Sequence, residues 1–141
     1  MIPKALALEI VTPDKPIVRD EVDEVQLPGR DGAFGVLPGH TPLLALLNPG
    51  ELWYRKGAEK ATLVIDFGLA EVLPDRVTVL VNLAEPPEAI DVAHEEAAKT
   101  DAERNIKQAG TLEDAERARI ALLTTLMRLR AAERIRGKRG M

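Results

Sequence analysis

"NLAEPPEAIDV", Asn82 to Val92, is where the chain changes its period. Upstream of it, apolar residues recur at every second position; downstream, at every third or fourth. Pro86 and Pro87 stand at the join, and two successive residues without an amide donor cannot continue a strand ladder. A change from period 2 to period 3.6 reads as a β half followed by an α half. The expected domains are 1–86 and 87–141.

Working upstream, "RVTVLVNL" puts Val77, Val79, Val81 and Leu83 on one face and Thr78, Leu80 and Asn82 on the other. Leu80 on the second face implies a strand that is partly covered on both sides. Pro74-Asp75 before it is a turn, since Pro fixes φ and Asp can bond the following backbone. Further short β-type runs between Pro and Gly punctuation are Leu6–Val11, Ile17–Val18, Glu21–Leu27, Ala33–Leu37, Leu43–Leu47, Glu51–Lys56, Ala61–Phe67 and Leu69–Leu73, with the last run spanning Arg76–Ala84. About ten short strands at this spacing predict an antiparallel β-sandwich.

Downstream, Ile90, Ala93, Ala97, Ala98, Ala102, Ile106 and Ala109 fall near one face of a helix that Asp91 can cap. Glu95 and Glu96 lie in its first turns, where the helix dipole favours anions. Thr111 restarts a second helix with Asp114 three residues on. Its stripe is Leu112, Ala115, Ala118, Leu122, Leu126 and Leu129, flanked by Ile120, Leu123 and Met127. The prediction is an antiparallel two-helix hairpin with alanines on one side of the seam and leucines on the other. Such a hairpin has little core of its own and must pack on something. About 1.5–3 kcal/mol per buried large side chain is largely cancelled by about 1–2 kcal/mol per ordered residue. A partner can tip that balance, which makes the hairpin a candidate switch.

The 141 residues carry a formal charge of −4, so there is no global pull toward nucleic acid or anionic lipid. No apolar run approaches the roughly 18 residues of a membrane span, and no export segment opens the chain, so direct membrane insertion is not expected. Cysteine and serine are absent, which removes disulfides, thiolate chemistry and a Ser-His-Asp site. Histidine occurs only at His40 and His94, too few for a His-rich metal site. The expectation is a protein that is not an enzyme and binds neither catalytic metal nor cofactor.

Charge is unevenly spread. From Arg117 onward, Arg117, Arg119, Arg128, Arg130, Arg134, Arg136, Lys138 and Arg139 stand against Glu133. One reading is a solvated helix face. Another is capture of an acidic partner by bidentate arginines, and the interleaved leucines favour a protein groove over nucleic acid. A nucleic-acid-binding module using "RLRAAERIRGKRG" is the alternative function, disfavoured by the acidic β half and by the lack of aromatic residues in this tail.

The segment "GRDGAFGVLPGHTPLL", Gly29 to Leu44, concentrates four glycines and two prolines around His40. Gly29, Gly32 and Gly35 are read as permitting positive φ in exposed loops, and Pro38 and Pro42 as holding His40 rigidly at a strand edge. With "NPGELWYRK", "GLAEVLPDRVTVLVNLAE" and "IDVAHEEA" in the same order, this segment resembles the epsilon subunit of bacterial F-type ATP synthase, the delta subunit of mitochondria. The resemblance covers nearly the whole chain. It implies a non-catalytic central-stalk subunit on the cytoplasmic face of the plasma membrane, coupling proton or sodium translocation to ATP synthesis. It also implies inhibition of ATP hydrolysis through a movable hairpin. By the same resemblance, His40, Thr41, Pro42, Leu43 and Leu44 face the gamma subunit. Gly29, Arg30, Asp31, Gly32 and Ala33 face the ring of c subunits. Arg128, Arg130, Arg134 and Arg136 meet acidic residues of a beta subunit when the hairpin extends into the alpha/beta hexamer.

Two departures from the family pattern are visible. Asp66-Phe67-Gly68 places a bulky residue where relatives carry small ones. The nucleotide motif Ile/Leu-Asp-x-x-Arg-Ala of some relatives here reads Ile90-Asp91-Val92-Ala93-His94-Glu95. Ile90 and Asp91 remain, but a cation is lost and a carboxylate gained, so ATP binding is predicted to be weak or absent. Asp91 is then foremost a helix cap.

Overall fold

The computed structural model describes the backbone of residues 2–139 and the side chains of residues 2–137. Within them the chain divides into two compact units at Glu85/Pro86.

The first unit contains ten strands: β1 (Leu6–Val11), β2 (Pro16–Val22), β3 (Glu24–Leu27), β4 (Phe34–Val36), β5 (Leu43–Leu47), β6 (Gly50–Lys56), β7 (Glu59–Ile65), β8 (Gly68–Leu73), β9 (Arg76–Val81) and β10 (Ala84–Glu85). They form two five-stranded sheets, ordered β2-β1-β9-β8-β5 and β10-β7-β6-β3-β4. The expected sandwich is borne out with one correction. β1 and β9 pair in parallel, Leu8 opposite Val77 and Ile10 opposite Val79. A parallel pair needs a long crossover, and the strands between β1 and β9 in the chain supply it. The inward residues Leu6, Leu8, Ile10, Val77 and Val79 meet Val25, Leu27, Val36, Leu52 and Ile65 of the other sheet in one core.

The predicted run Glu21–Leu27 is two strands, broken at Asp23. Val22 and Val25 are both buried although three positions apart, which no single pleated strand allows. At Asp23 the chain passes from one sheet to the other. Its N–H donates to the Arg55 carbonyl at 2.8 Å and its carboxylate accepts from the Gly57 N–H at 2.7 Å. The run Arg76–Ala84 breaks in the same manner: Val81 and Ala84 are buried three apart, and β10 joins the second sheet beside β7. Nearby, Lys56 donates to Asp20 at 2.9 Å across the two sheets. That bond holds the Asp20 carboxyl below, and the Lys56 ammonium above, their ordinary ranges.

The second unit is the hairpin, α1 (Val92–Gln108) and α2 (Leu112–Arg139), preceded by a 3-10 turn at Pro87–Ala89 that packs against α2. Both caps form as expected: the His94 N–H donates to Asp91 Oδ1 at 3.1 Å, and the Asp114 N–H to Thr111 Oγ1 at 3.0 Å. The predicted faces hold in part and shift in part. Ala102 on α1 and Ala118 and Leu129 on α2 are buried as expected, but Ala93 and Ala97 are exposed, Leu112 is 80% exposed, and Glu95 and Thr125 are buried. The physical reason is at Glu95, whose charge is paired across the seam and so occupies a place that apolarity alone would refuse it.

Replacing Leu8 by Ala should cost about 2–5 kcal/mol in urea unfolding of the full chain, since its side chain is fully enclosed. Leu112→Ala should stay within about 0.5 kcal/mol; a comparable loss at both positions would contradict the exposed placement of Leu112.

Candidate docking surface

β5 is "LLALL", a strand with no polar residue, at the edge of the first sheet. Alternation turns Ala45 and Leu47 inward and leaves Leu44 and Leu46 outward at 66% and 53% exposure, while Leu43, at the start of the strand, is 41% exposed. Leu46 lies opposite Leu69 of β8, and Leu69 opposite Leu80 of β9, which is 49% exposed. Leu80 in turn neighbours Val11 of β1. An apolar row therefore crosses four strands on the outer face. Phe67 extends it, lining a depression with Val11, Pro13, Leu69 and Leu80. Scattered surface leucines are ordinary, but a contiguous row is a candidate interaction surface.

The glycine-rich segment is built onto this edge. Arg30 N–H donates to the Leu46 carbonyl at 2.9 Å, Asn48 N–H to that of Pro28 at 3.0 Å, and Gly29 bridges Leu47. The β3–β4 loop is thus held against β5, with Arg30, Asp31, Gly32 and Ala33 exposed at its tip. Gly29, Arg30, Asp31, Gly32 and Phe34 form one wall of a groove whose other wall is Leu43 to Leu46. Two stretches singled out separately in the sequence converge here. Of the three glycines read as needing positive φ, only Gly32 has it, at +132°. Gly29 serves close approach instead: a Cβ there would meet the Gly32 carbonyl oxygen at 2.6 Å.

The turn before β5 is anchored from below. Gly39, at φ +89°, donates its N–H to the Pro74 carbonyl at 2.7 Å, and His40 N–H donates to that of Leu37 at 3.1 Å. His40 Nδ1 lies 2.6 Å from the Thr41 carbonyl oxygen, so that nitrogen carries a proton and donates. His40 is half-buried, and Thr41, Pro42 and Leu43 are exposed. Leu46, Leu69 and Leu80 were not among the expected contact residues. The signal available was the unbroken apolar run of β5 and the misplaced Leu80.

On α2, Arg130 and Arg136 are exposed and Arg134 is half-buried. Arg128 is different: its Nε donates to Glu95 at 2.7 Å in a pair almost removed from water. The side chains of Lys138 and Arg139 lie outside the described residues. Ile90 is buried and Asp91 is spent on its cap. Among the described residues no group of three or more metal-ligating side chains converges. What the arrangement offers is shape and apolar area.

Residues 5–87 match the family described as ATP synthase, Delta/Epsilon chain, beta-sandwich domain. A Syntrophobacter fumaroxidans protein named ATP synthase epsilon chain is 44% identical over 129 residues, covering 92% of this chain and 96% of its own length. A protein of the same name from Koribacter versatilis is 48% identical over 102 residues, 72% of each chain. A chain in the cryo-EM structure of Euglena gracilis mitochondrial ATP synthase, OSCP/F1/c-ring, superposes with a TM-score of 0.81 at 28% identity, covering 94% of this chain and 83% of that one. A chain from the central stalk and c-ring of the Tetrahymena thermophila enzyme gives 0.64 at 17% identity, covering 92% and 99%, a likeness of fold.

The positive φ of Gly39 makes it the test of the turn that carries His40. Gly39→Ala should lose about 1–2 kcal/mol of stability, read from thermal unfolding. Gly110→Ala, where a Cβ meets open space, should be neutral; equal effects would argue against a strained turn.

Proposed function

The chain belongs to the ATP synthase delta/epsilon family, and we propose that its β unit grips the rotor while its hairpin regulates hydrolysis. It is an epsilon subunit of the central stalk, associated with the complex as part of F1. Among the described residues no helix is long and apolar enough to cross a membrane. In the proposal the subunit sits on the cytoplasmic face of the plasma membrane, without catalytic residues of its own, and helps couple proton or sodium flow to ATP synthesis.

The observation that carries the docking half is the outward apolar row of Leu44, Leu46, Leu69 and Leu80, which follows in the chain on the half-buried His40 and the exposed Thr41, Pro42 and Leu43. This face takes the gamma subunit. Four leucines at about 1.5–3 kcal/mol each sum to roughly 6–12 kcal/mol gross. The rigid-body cost of association is about 4–15 kcal/mol, so the row needs help. The tip residues Gly29 to Ala33 supply it by contacting the c ring, and Arg30 and Asp31 offer both signs of charge. Transmission of torque then runs through a two-layer body with few soft joints.

The hairpin half rests on the basic stretch of α2. In an extended hairpin, Arg128, Arg130, Arg134 and Arg136 meet carboxylates of a beta subunit, alpha and beta together forming the groove. Moving a two-state element from 1:99 to 99:1 needs about 5.5 kcal/mol of differential binding. Desolvated charge-assisted bonds are of that order collectively, whereas exposed pairs are not. Nucleotide binding to the hairpin is weak or absent, because His94 and Glu95 replace the cation and small residue of the motif.

Leu46→Asp with Leu80→Asp should leave the fold intact by circular dichroism and weaken co-purification with gamma at least tenfold; undiminished recovery would remove this face from the interface. Deleting residues 89–141 should raise ATP hydrolysis by the assembled enzyme with coupling retained. If hydrolysis does not change, the hairpin is not an inhibitor.

A further inference from the structure

Within the hairpin, one charged contact lies where water barely reaches. Glu95, in the first turn of α1, and Arg128, on the distal half of α2, have side chains 8% and 13% exposed, with Oε1 and Nε 2.7 Å apart. Ion pairs on the outer surface of the same helices, such as Arg117–Glu113 at 2.9 Å, stand open to solvent. An exposed pair contributes little. A buried pair behaves otherwise: removing either partner strands the other charge in a poorly solvated place. The other buried residues of the two helices are mostly small, Ala102, Ala118, Ala131 and Ala132, with Thr125 and, among the described residues, one leucine, Leu129. The closed hairpin therefore depends on this match more than a leucine-packed seam would.

Arg128 also belongs to the basic stretch assigned to a partner. With the Arg128 side chain only 13% exposed in the closed hairpin, a carboxylate on another subunit reaches its guanidinium only when the seam opens. We infer that Glu95 is an internal competitor for Arg128: its carboxylate latches α1 to α2, and an acidic side chain of a protein partner opens the latch by taking the arginine over. Opening exposes Glu95 to water, where its charge needs no partner, so the exchange leaves no buried charge behind. The latch itself is a property of this chain; its link to hydrolysis rests on the inhibitory reading above.

The chain has no cysteine, so Ala93→Cys and Glu133→Cys, both at exposed positions, report the separation of the helices through two spin labels on the full chain. Glu95→Gln should raise the population at long distance at least tenfold, and the exchange Glu95→Arg with Arg128→Glu should restore the short distance. Rescue by the exchange separates a latch from general loss of folding. A distance distribution unmoved by Glu95→Gln, or left open by the exchange, overturns the latch. In the assembled enzyme Glu95→Gln should lower hydrolysis several-fold; an opened hairpin with unaltered hydrolysis would instead sink the inhibitory reading and leave the latch standing.

Discussion

A strand made only of apolar residues cannot hide both of its faces at the edge of a sheet. β5 is such a strand, and its register against β8 decides what the rest of the β unit presents. Shifting that register by one residue would turn Leu44 and Leu46 inward and expel the buried Leu47. The core already has its leucines and valines in place, so the register is held. The surplus apolar surface is then unavoidable, and it continues through Leu69 and Leu80. The β3–β4 loop and the Gly39 turn are both fastened by backbone hydrogen bonds to this edge or to the β8–β9 turn beside the same sheet. The exposed groups at their tips are therefore carried on a hydrogen-bonded frame, which suits the rotor contact proposed for this unit.

Much of this frame was legible in the residues, and where it was not the reason is specific. Alternation located most strands, and Pro and Gly bounded them. What alternation hides is the passage of a chain from one sheet to the other. Val22 with Val25, and Val81 with Ala84, are pairs of inward residues at odd spacing. Their phase break is present in the sequence, but only once one knows that both members are buried. The parallel pairing of β1 with β9 has no local signature at all, because it joins residues some seventy positions apart. The docking site was half visible. Its loops announce themselves by glycine and proline, whereas Leu46, Leu69 and Leu80 look like any strand leucines until the sheet order is known.

The hairpin shows a different limit of pattern reading. Treating every charged residue as solvent-facing placed Ala93 and Ala97 on the seam, and the actual seam is turned toward Glu95. The error could not be corrected on α1 alone. A buried carboxylate is acceptable only with its cation in place, and that cation is thirty-three positions away on α2. Of the two residues that depart from the nucleotide motif, His94 and Glu95, the second is also the one that disturbs the helical pattern.

This coincidence bears on how a helical pair can be both ordered and releasable. A seam of large apolar side chains closes in proportion to its buried area, and opening it costs that area whatever the partner offers. A seam of mostly small residues around an ion pair, with Leu129 the one buried leucine among the described residues, closes largely by a matched contact that can be exchanged for another of the same kind. The β unit and the hairpin thus follow opposite rules. In the first, leucines are left over on the outside and call for a permanent neighbour. In the second, leucines such as Leu112 and Leu123 also face outward, yet the inner seam is held by a charge that a neighbour's carboxylate can claim. The proposed firm attachment at one end of the chain and conditional closure at the other would both follow from where each unit spends its apolar residues.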